Sequence, residues 1–240
     1  MLNDFIYNKC LETGAAFPDI PVQAVETYGQ CGEDIIVLSM VRVVARKKKC
    51  SFANKMYVEI GANHPFATSA TFMMHSQLKI NGLLVEANKA LVGALKRLRP
   101  YDIVVYGAVQ EKDVETTLFS ISNLSEISSL DQSFVTSWGN GLSREVERIE
   151  VPALRINTLL QEHGQGRDIV FLSIDIEGYD LFVLSDLDFM LYRPWVIQIE
   201  PSDRHIPNNS EEIIHFLVEK GYKLIAQTSV NLIFLEASLA

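Results

Sequence analysis

Five carboxylates stand at the ends of short, β-rich runs. Glu59 lies in Met56-Tyr-Val-Glu-Ile-Gly61 and Glu86 in Leu83-Leu-Val-Glu-Ala87; Asp175 and Glu177 follow Ile169-Val-Phe-Leu-Ser-Ile174, and Glu200 closes Trp195-Val-Ile-Gln-Ile-Glu200. In an open parallel sheet, ligands bind beyond the carboxyl ends of the strands, so these are the positions where chemistry is expected. Acids there suit a cationic or hydroxyl-rich ligand and do not suit a phosphate cradle. Asp175 and Glu177, two residues apart on an extended end, point to the same side, and Glu200 ends the next strand. Three carboxylates so close repel one another unless a proton, a cation or a substrate hydroxyl intervenes. Two solutions follow. One is a hard cation with oxygen ligands, Mg²⁺ foremost, held by Asp175, Glu177 and Glu200 with His64 as a possible further ligand. The other is a carboxylate of raised pKa acting as a base.

The first turn carries the second group of candidates. Gly61 permits a tight turn and close backbone approach to a ligand, and Ala62 and Asn63 follow it. Glu86, 27 residues after Glu59, can accept two hydrogen bonds from a ribose diol, which dinucleotides and S-adenosylmethionine share. The turn Gly61-Ala-Asn-His-Pro-Phe66 lacks the later glycines of G-x-G-x-x-G that a pyrophosphate requires. S-adenosylmethionine has no phosphate and carries sulfonium and ammonium charges, so one glycine and a preceding acid suffice. No Tyr-x-x-x-Lys, G-x-S-x-G, H-E-x-x-H or Walker sequence occurs. An NAD-dependent oxidoreductase is therefore the lesser alternative.

These residues need elements to position them. The apolar run 33–46 is too long for a strand and predicts a helix, with Lys47-Lys48-Lys49 at its C-terminal end, where the dipole favours cations. Strands are expected at 56–61, 83–87, 103–109, 169–175 and 195–200. Helices are expected at 66–78, at 89–98 capped by Asn88, at 178–190, and after a capping box at Asn209–Glu212. Near-continuous apolar strands alternating with helices indicate a mostly parallel sheet covered on both faces. Residues 222–228 and 231–236 are strand-like with only two residues between them, so they must form an antiparallel hairpin. The polar, serine-rich stretch 110–167, with strands at 116–121 and 147–155, reads as an insertion on the substrate side. Residues 1–50 read as an N-terminal helical lid segment and 51–240 as the core.

Taken in order, Tyr57-Val-Glu-Ile-Gly-Ala-Asn63, Leu83-Leu-Val-Glu-Ala-Asn88, Ser173-Ile-Asp-Ile-Glu-Gly-Tyr179 and Gln198-Ile-Glu-Pro201 resemble the FkbM-type methyltransferases. Gly29-Gln-Cys-Gly-Glu-Asp34 is similar to an N-terminal motif of part of that group. The resemblance implies a Rossmann-like class I methyltransferase fold using S-adenosylmethionine, with O-methylation of a sugar or natural-product hydroxyl. On this reading Gln30, Asp34, Glu59, Gly61, Ala62, Asn63, Glu86, Ala108 and Asp175 are expected to bind the cofactor, and the strand-end acids Asp175, Glu177 and Glu200 to be catalytic. Family members often carry Gly where this chain has Pro65. Pro suits the first turn of a helix, yet it keeps open a catalytically silent, methyltransferase-like binding protein.

Composition agrees. The chain has 240 residues with 21 Lys+Arg against 30 Asp+Glu, a net charge of −9 that disfavours broad nucleic-acid binding. Cys10, Cys31 and Cys50 form no C-x-x-C pair, which supports neither a zinc ribbon nor a disulfide framework and fits a reducing, cytoplasmic setting. No apolar run reaches the length needed to span a bilayer. A small-molecule or sugar acceptor is the expected partner. His75, His163, His205 and His215 read as structural or solvent-facing, and Trp138 as packing.

Overall fold

The structure, a computed structural model, describes residues 26–124, 127–202 and 209–240. The expected lid residues before position 26, and His205, lie outside them. The apolar runs of the sequence become seven strands of one sheet: β1 (Lys55–Ile60), β2 (Leu83–Glu86), β3 (Ile103–Tyr106), β7 (Asp168–Ile174), β8 (Val196–Ile199), β9 (Tyr222–Gln227) and β10 (Leu232–Glu236). Their order is β3-β2-β1-β7-β8-β10-β9. The first five are parallel; β10 runs antiparallel to both β8 and β9. This is the expected Rossmann-like class I architecture, with the order of the strands reversing between the parallel neighbours β1 and β7, where open sheets open a crevice.

Both sheet faces are apolar because strand residues alternate sides. Met56, Val58, Ile60, Leu172, Ile174, Ile197 and Ile199 pack beneath α4 (Ile156–His163), α5 (Asp180–Asp186) and α6 (Ser210–Glu219). Tyr57, Leu84, Phe171, Val196 and Ile233 pack against α1 (Glu33–Lys48) and α2 (Lys89–Leu98). Asn88 caps α2 as expected, accepting from Ala90 N–H at 3.0 Å. No helix among the described residues is long and apolar enough to cross a membrane.

Several local expectations are corrected. The helix expected at 66–78 is confined to 72–78, most of it a π-type turn, Met74–Leu78. Pro65 and the residues after it form an irregular loop, because the Glu59 carboxylate takes the Ala70 N–H and the Thr71 and Ser69 hydroxyls. The expected strand 103–109 breaks at Gly107 (φ 152°), where a Cβ would meet Leu154 Cδ1 at 2.6 Å and Pro152 O at 2.8 Å. After the break, β4 (Ala108–Val109) joins β5 (Thr116–Ser122) and β6 (Glu145–Leu154) in a second, three-stranded sheet. α5 ends at Asp186, four residues before the expected end. Asn209 does not cap α6; its Oδ1 accepts the Ser202 N–H at 2.8 Å instead. Within 110–167, the polar β5–β6 hairpin and α3 (Gln132–Ser137) stand above the strand ends, whereas α4 belongs to the core.

Candidate active site

At the strand ends, the backbones of β1 and β7 come so close that Asp175 N–H donates to Ile60 O at 3.0 Å. Gly61 (φ 85°) makes this possible: a Cβ there would lie 1.8 Å from Asp175 O. The N–H groups of Gly61 and Ala62 both bond Val85 O at 3.0 Å, fastening the turn to β2. Around this junction opens a cleft of about 760 Å³, its open mouth included. Gln30, Gly61, Asn63, Glu86, Asp175 and Glu177 form its polar wall, and Ala87, Ala108, Val109, Phe119 and Leu130 its apolar one.

Glu86 faces this cleft yet is 6 % exposed. Its oxygens accept Asn63 N–H at 2.7 Å and Asn88 N–H at 2.6 Å, so it also ties the β1 turn to the start of α2. Burial pushes its carboxyl pKa up, against those backbone donors. Glu59 is more enclosed, and burial raises it to about 7 although the Arg99 charge and its own hydrogen bonds favour the anion.

Arg99 supports the whole loop from beneath. Its guanidinium is fully buried and donates to Asp102 Oδ2 (2.7 Å), Tyr57 Oη (2.7 Å), Pro65 O (2.8 Å) and Thr71 Oγ1 (3.1 Å). In the sequence it reads as one more cation at a helix end, and only the tertiary structure reveals it. Pro65, the departure from the family pattern, is thus the residue whose carbonyl anchors the loop.

Asp175, Glu177 and Glu200 do converge. One ligand atom from each lies within 4.8 Å of the others, close enough to share one ion. Burial, then the charges of Asp175 and Glu177, drive the Glu200 pKa far up, and Glu200 shares a hydrogen bond with Asp175. Beneath them Asp180, which the sequence reading missed, accepts the Ile176 and Gly178 N–H groups at 3.1 and 3.0 Å. It sets the turn on which Glu177 adopts φ 56°. Burial and the nearby Asp175 raise Asp180 to about 7.

A second cleft, about 310 Å³ including its opening, adjoins this cluster. Phe134, Trp138 and Pro201 line it with Glu177, Asp180 and Glu200. Glu177 is common to both clefts.

The remaining candidates fall elsewhere. His64 is not part of the acid cluster; its Nδ1 accepts Ala67 N–H at 3.0 Å within its own turn. Asp34 does not line either cleft: it accepts Thr27 Oγ1 at 2.6 Å and Tyr28 N–H at 2.7 Å, holding the segment before α1. Ala62 is buried in the turn, whereas Gln30 and Ala108 do line the larger cleft.

The model of the methyltransferase FkbM domain matches residues 59–224. The chain belongs to the FkbM methyltransferase domain family. All four core motifs of this FkbM chain surround the two clefts just described. No curated protein matches it. Among solved structures it is similar to a precorrin-6y C5,15-methyltransferase from Geobacter metallireducens, at 13 % identity and a TM-score of 0.46, over 91 % of this chain and 95 % of that one. It is also similar to an O-methyltransferase from Bacillus cereus in complex with SAH, at 13 % identity and a TM-score of 0.42, over 96 % and 88 % of the two chains. Likeness at this level says nothing of substrate.

Proposed function

We propose that this FkbM-family chain is an S-adenosylmethionine-dependent methyltransferase acting on a hydroxyl of a small molecule or sugar. The observation that supports this reading is Glu177, which lines both clefts, one suited to the cofactor and the other to an acceptor.

The larger cleft fits the cofactor chemically. Its apolar side suits an adenine ring, Glu86 suits a ribose diol and Asp175 suits positive charge, as does Glu59 in an adjoining chamber. Bound there, S-adenosylmethionine supplies an electrophilic methyl group on a sulfonium. The chain's own residues do the rest. The turn at Gly61 and the carboxylate of Glu86 fix position, which is the larger part of catalysis in an in-line displacement. Phe134, Trp138 and Pro201 exclude water from the acceptor side and offer a flat apolar face to a ring. Glu177 accepts the hydroxyl proton as the acceptor oxygen becomes nucleophilic. Glu200, which burial and its acidic neighbours push towards the protonated form, shares a hydrogen bond with Asp175 and so relieves the repulsion there. A divalent cation bound by the same three carboxylates is the competing solution.

The test is transfer of isotopically labelled methyl from S-adenosylmethionine to a panel of neutral hydroxylated rings and their amine counterparts. We expect label on hydroxyl acceptors. Glu177→Gln is expected to lower kcat by about 10²- to 10⁴-fold, the range for a lost general base, with cofactor affinity kept. Transfer confined to the amines, or an unchanged kcat in Glu177→Gln, would overturn the reading.

A further inference from the structure

A third chamber, about 380 Å³ with its opening, adjoins the larger cleft and shares Gln30, Gly61, Thr68 and Asp175 with it. Strand register explains its floor. Glu59 on β1 is paired with Ser173 on β7, and Ser173 with Gln198 on β8, so three polar residues form one row across an otherwise apolar sheet face. Asn231, at the start of the β10 side of the hairpin, and Glu33, in the first turn of α1, close the chamber. All five are at least 94 % buried.

The chamber is rich in acceptors. Asn231 Nδ2 and Thr228 Oγ1 donate to Glu33 Oε1 at 3.4 and 3.0 Å, and Cys31 N–H donates to its Oε2 at 2.8 Å. That orients Asn231 so that its Oδ1 has no donor, and Gln198 Oε1 has none either among the described residues. Buried polar groups normally find partners. Two amide oxygens beside the carboxylates of Glu33, Glu59 and Asp175 call for a group that only donates and carries positive charge. An ammonium, with three donors and no acceptor, has that chemistry.

We propose that Glu33, Gln198 and Asn231 form a recognition pocket for the ammonium group at the amino-acid end of the cofactor. This rests on the S-adenosylmethionine reading above. It gives the segment before the sheet a specific role, since Glu33 joins the C-terminal hairpin to the site at the ligand's charge. The residues differ from those named for the ribose, and nothing in the spacing of Glu33, Gln198 and Asn231 along the sequence links them.

The test is calorimetric titration of the full chain with S-adenosylhomocysteine and with its desamino analogue, which keeps the adenosine and the carboxylate. The intact chain should prefer S-adenosylhomocysteine by about 10- to 100-fold, the range for charge-assisted hydrogen bonds. In Glu33→Gln and in Gln198→Leu that preference should shrink several-fold. Gln198→Leu replaces an amide whose oxygen has no donor among the described residues by an apolar side chain of similar size, so it is expected to fold if Glu33→Gln does not. Equal affinity of the intact chain for both ligands overturns the assignment and leaves the cofactor reading standing. So does a preference undiminished in Gln198→Leu. If neither ligand binds, the cofactor reading itself falls, and the pocket assignment with it.

Discussion

Replacing Arg99 with leucine tests how the candidate site is held together. The guanidinium is fully buried, donates to four side-chain or backbone oxygens at 2.7–3.1 Å, and lies 5.6 Å from the Tyr57 ring centroid and 5.7 Å from that of Phe72. Leucine preserves part of the apolar stem and removes every donor. Breaking a buried ion pair by deleting one partner costs about 3–5 kcal/mol. Asp102 would keep donors from Tyr57 Oη (2.6 Å) and Gly82 N–H (2.8 Å), which argues for the lower end, about 3 kcal/mol. That is a large part of a typical domain stability of about 5–15 kcal/mol. With a urea m-value of about 2–3 kcal/mol/M, the midpoint should fall by roughly 1–1.5 M. Loss of the bonds to Pro65 O and Thr71 should also loosen the loop over the cleft and weaken cofactor binding in whatever fraction stays folded. A midpoint shift below about 0.3 M at unchanged m-value, under about 1 kcal/mol, would refute the claim that this cation organises the loop.

Three further outcomes are expected. Glu86→Gln should weaken S-adenosylhomocysteine binding by about 1.5–3 kcal/mol, the range for hydrogen bonds to a charged group; an unchanged dissociation constant in calorimetry would remove Glu86 from the site. Glu59 and Asp180 each have a folded pKa raised to about 7, above the unfolded values of 4.5 and 3.8. Their stabilisation is therefore complete below the unfolded values and is lost as pH rises through about 7. The ligand-free chain should unfold at higher urea at pH 5 than at pH 8, and Glu59→Gln should flatten the profile by an amount on the order of 3 kcal/mol; an unaltered slope in that variant would exclude Glu59 as a source. Methyl transfer should survive exhaustive chelation, with a rate that rises through a single ionisation; loss on chelation with recovery on adding Mg²⁺ would assign the acid cluster to a metal.

The strands were legible because buried parallel strands must be continuously apolar, and their ends therefore stand out wherever a carboxylate or glycine interrupts the run. Ile169–Ile174 followed by Asp175 and Glu177 shows this, as does Trp195–Ile199 followed by Glu200. The C-terminal hairpin followed from loop length alone. What failed was local structure decided by distant groups. The residues after Pro65 have helix-compatible types, but a buried carboxylate two strand positions before Gly61 takes the N–H and hydroxyls that a helix would have organised differently. Gly107 stands inside a run that reads as one strand, and only its packing against Pro152 and Leu154 splits it between two sheets.

The site was legible in its acids and not in their supports. Asp175, Glu177 and Glu200 share a cluster because strand ends are adjacent, which the order of motifs already implies. Asp180 looks like an ordinary first-turn acid, Arg99 like an ordinary last-turn cation, and Glu33 like a dipole-favoured acid at the start of α1. Each owes its part to burial, which no local pattern encodes. Asp34, whose motif is similar to one seen in part of the family, is turned to Thr27 and Tyr28 instead of the cleft.

The central claim is that the β1–β7 junction is a cofactor cleft with its ribose end at Glu86 and its acceptor side at Glu177. A crystal structure of the full chain with S-adenosylhomocysteine tests this most directly. We expect the adenine against Ala108, Val109 and Phe119, ribose hydroxyls within about 3.2 Å of Glu86, and the sulfur facing Glu177. An adenosine bound outside this cleft, or bound in it with the ribose away from Glu86 and the sulfur away from Glu177, would contradict it.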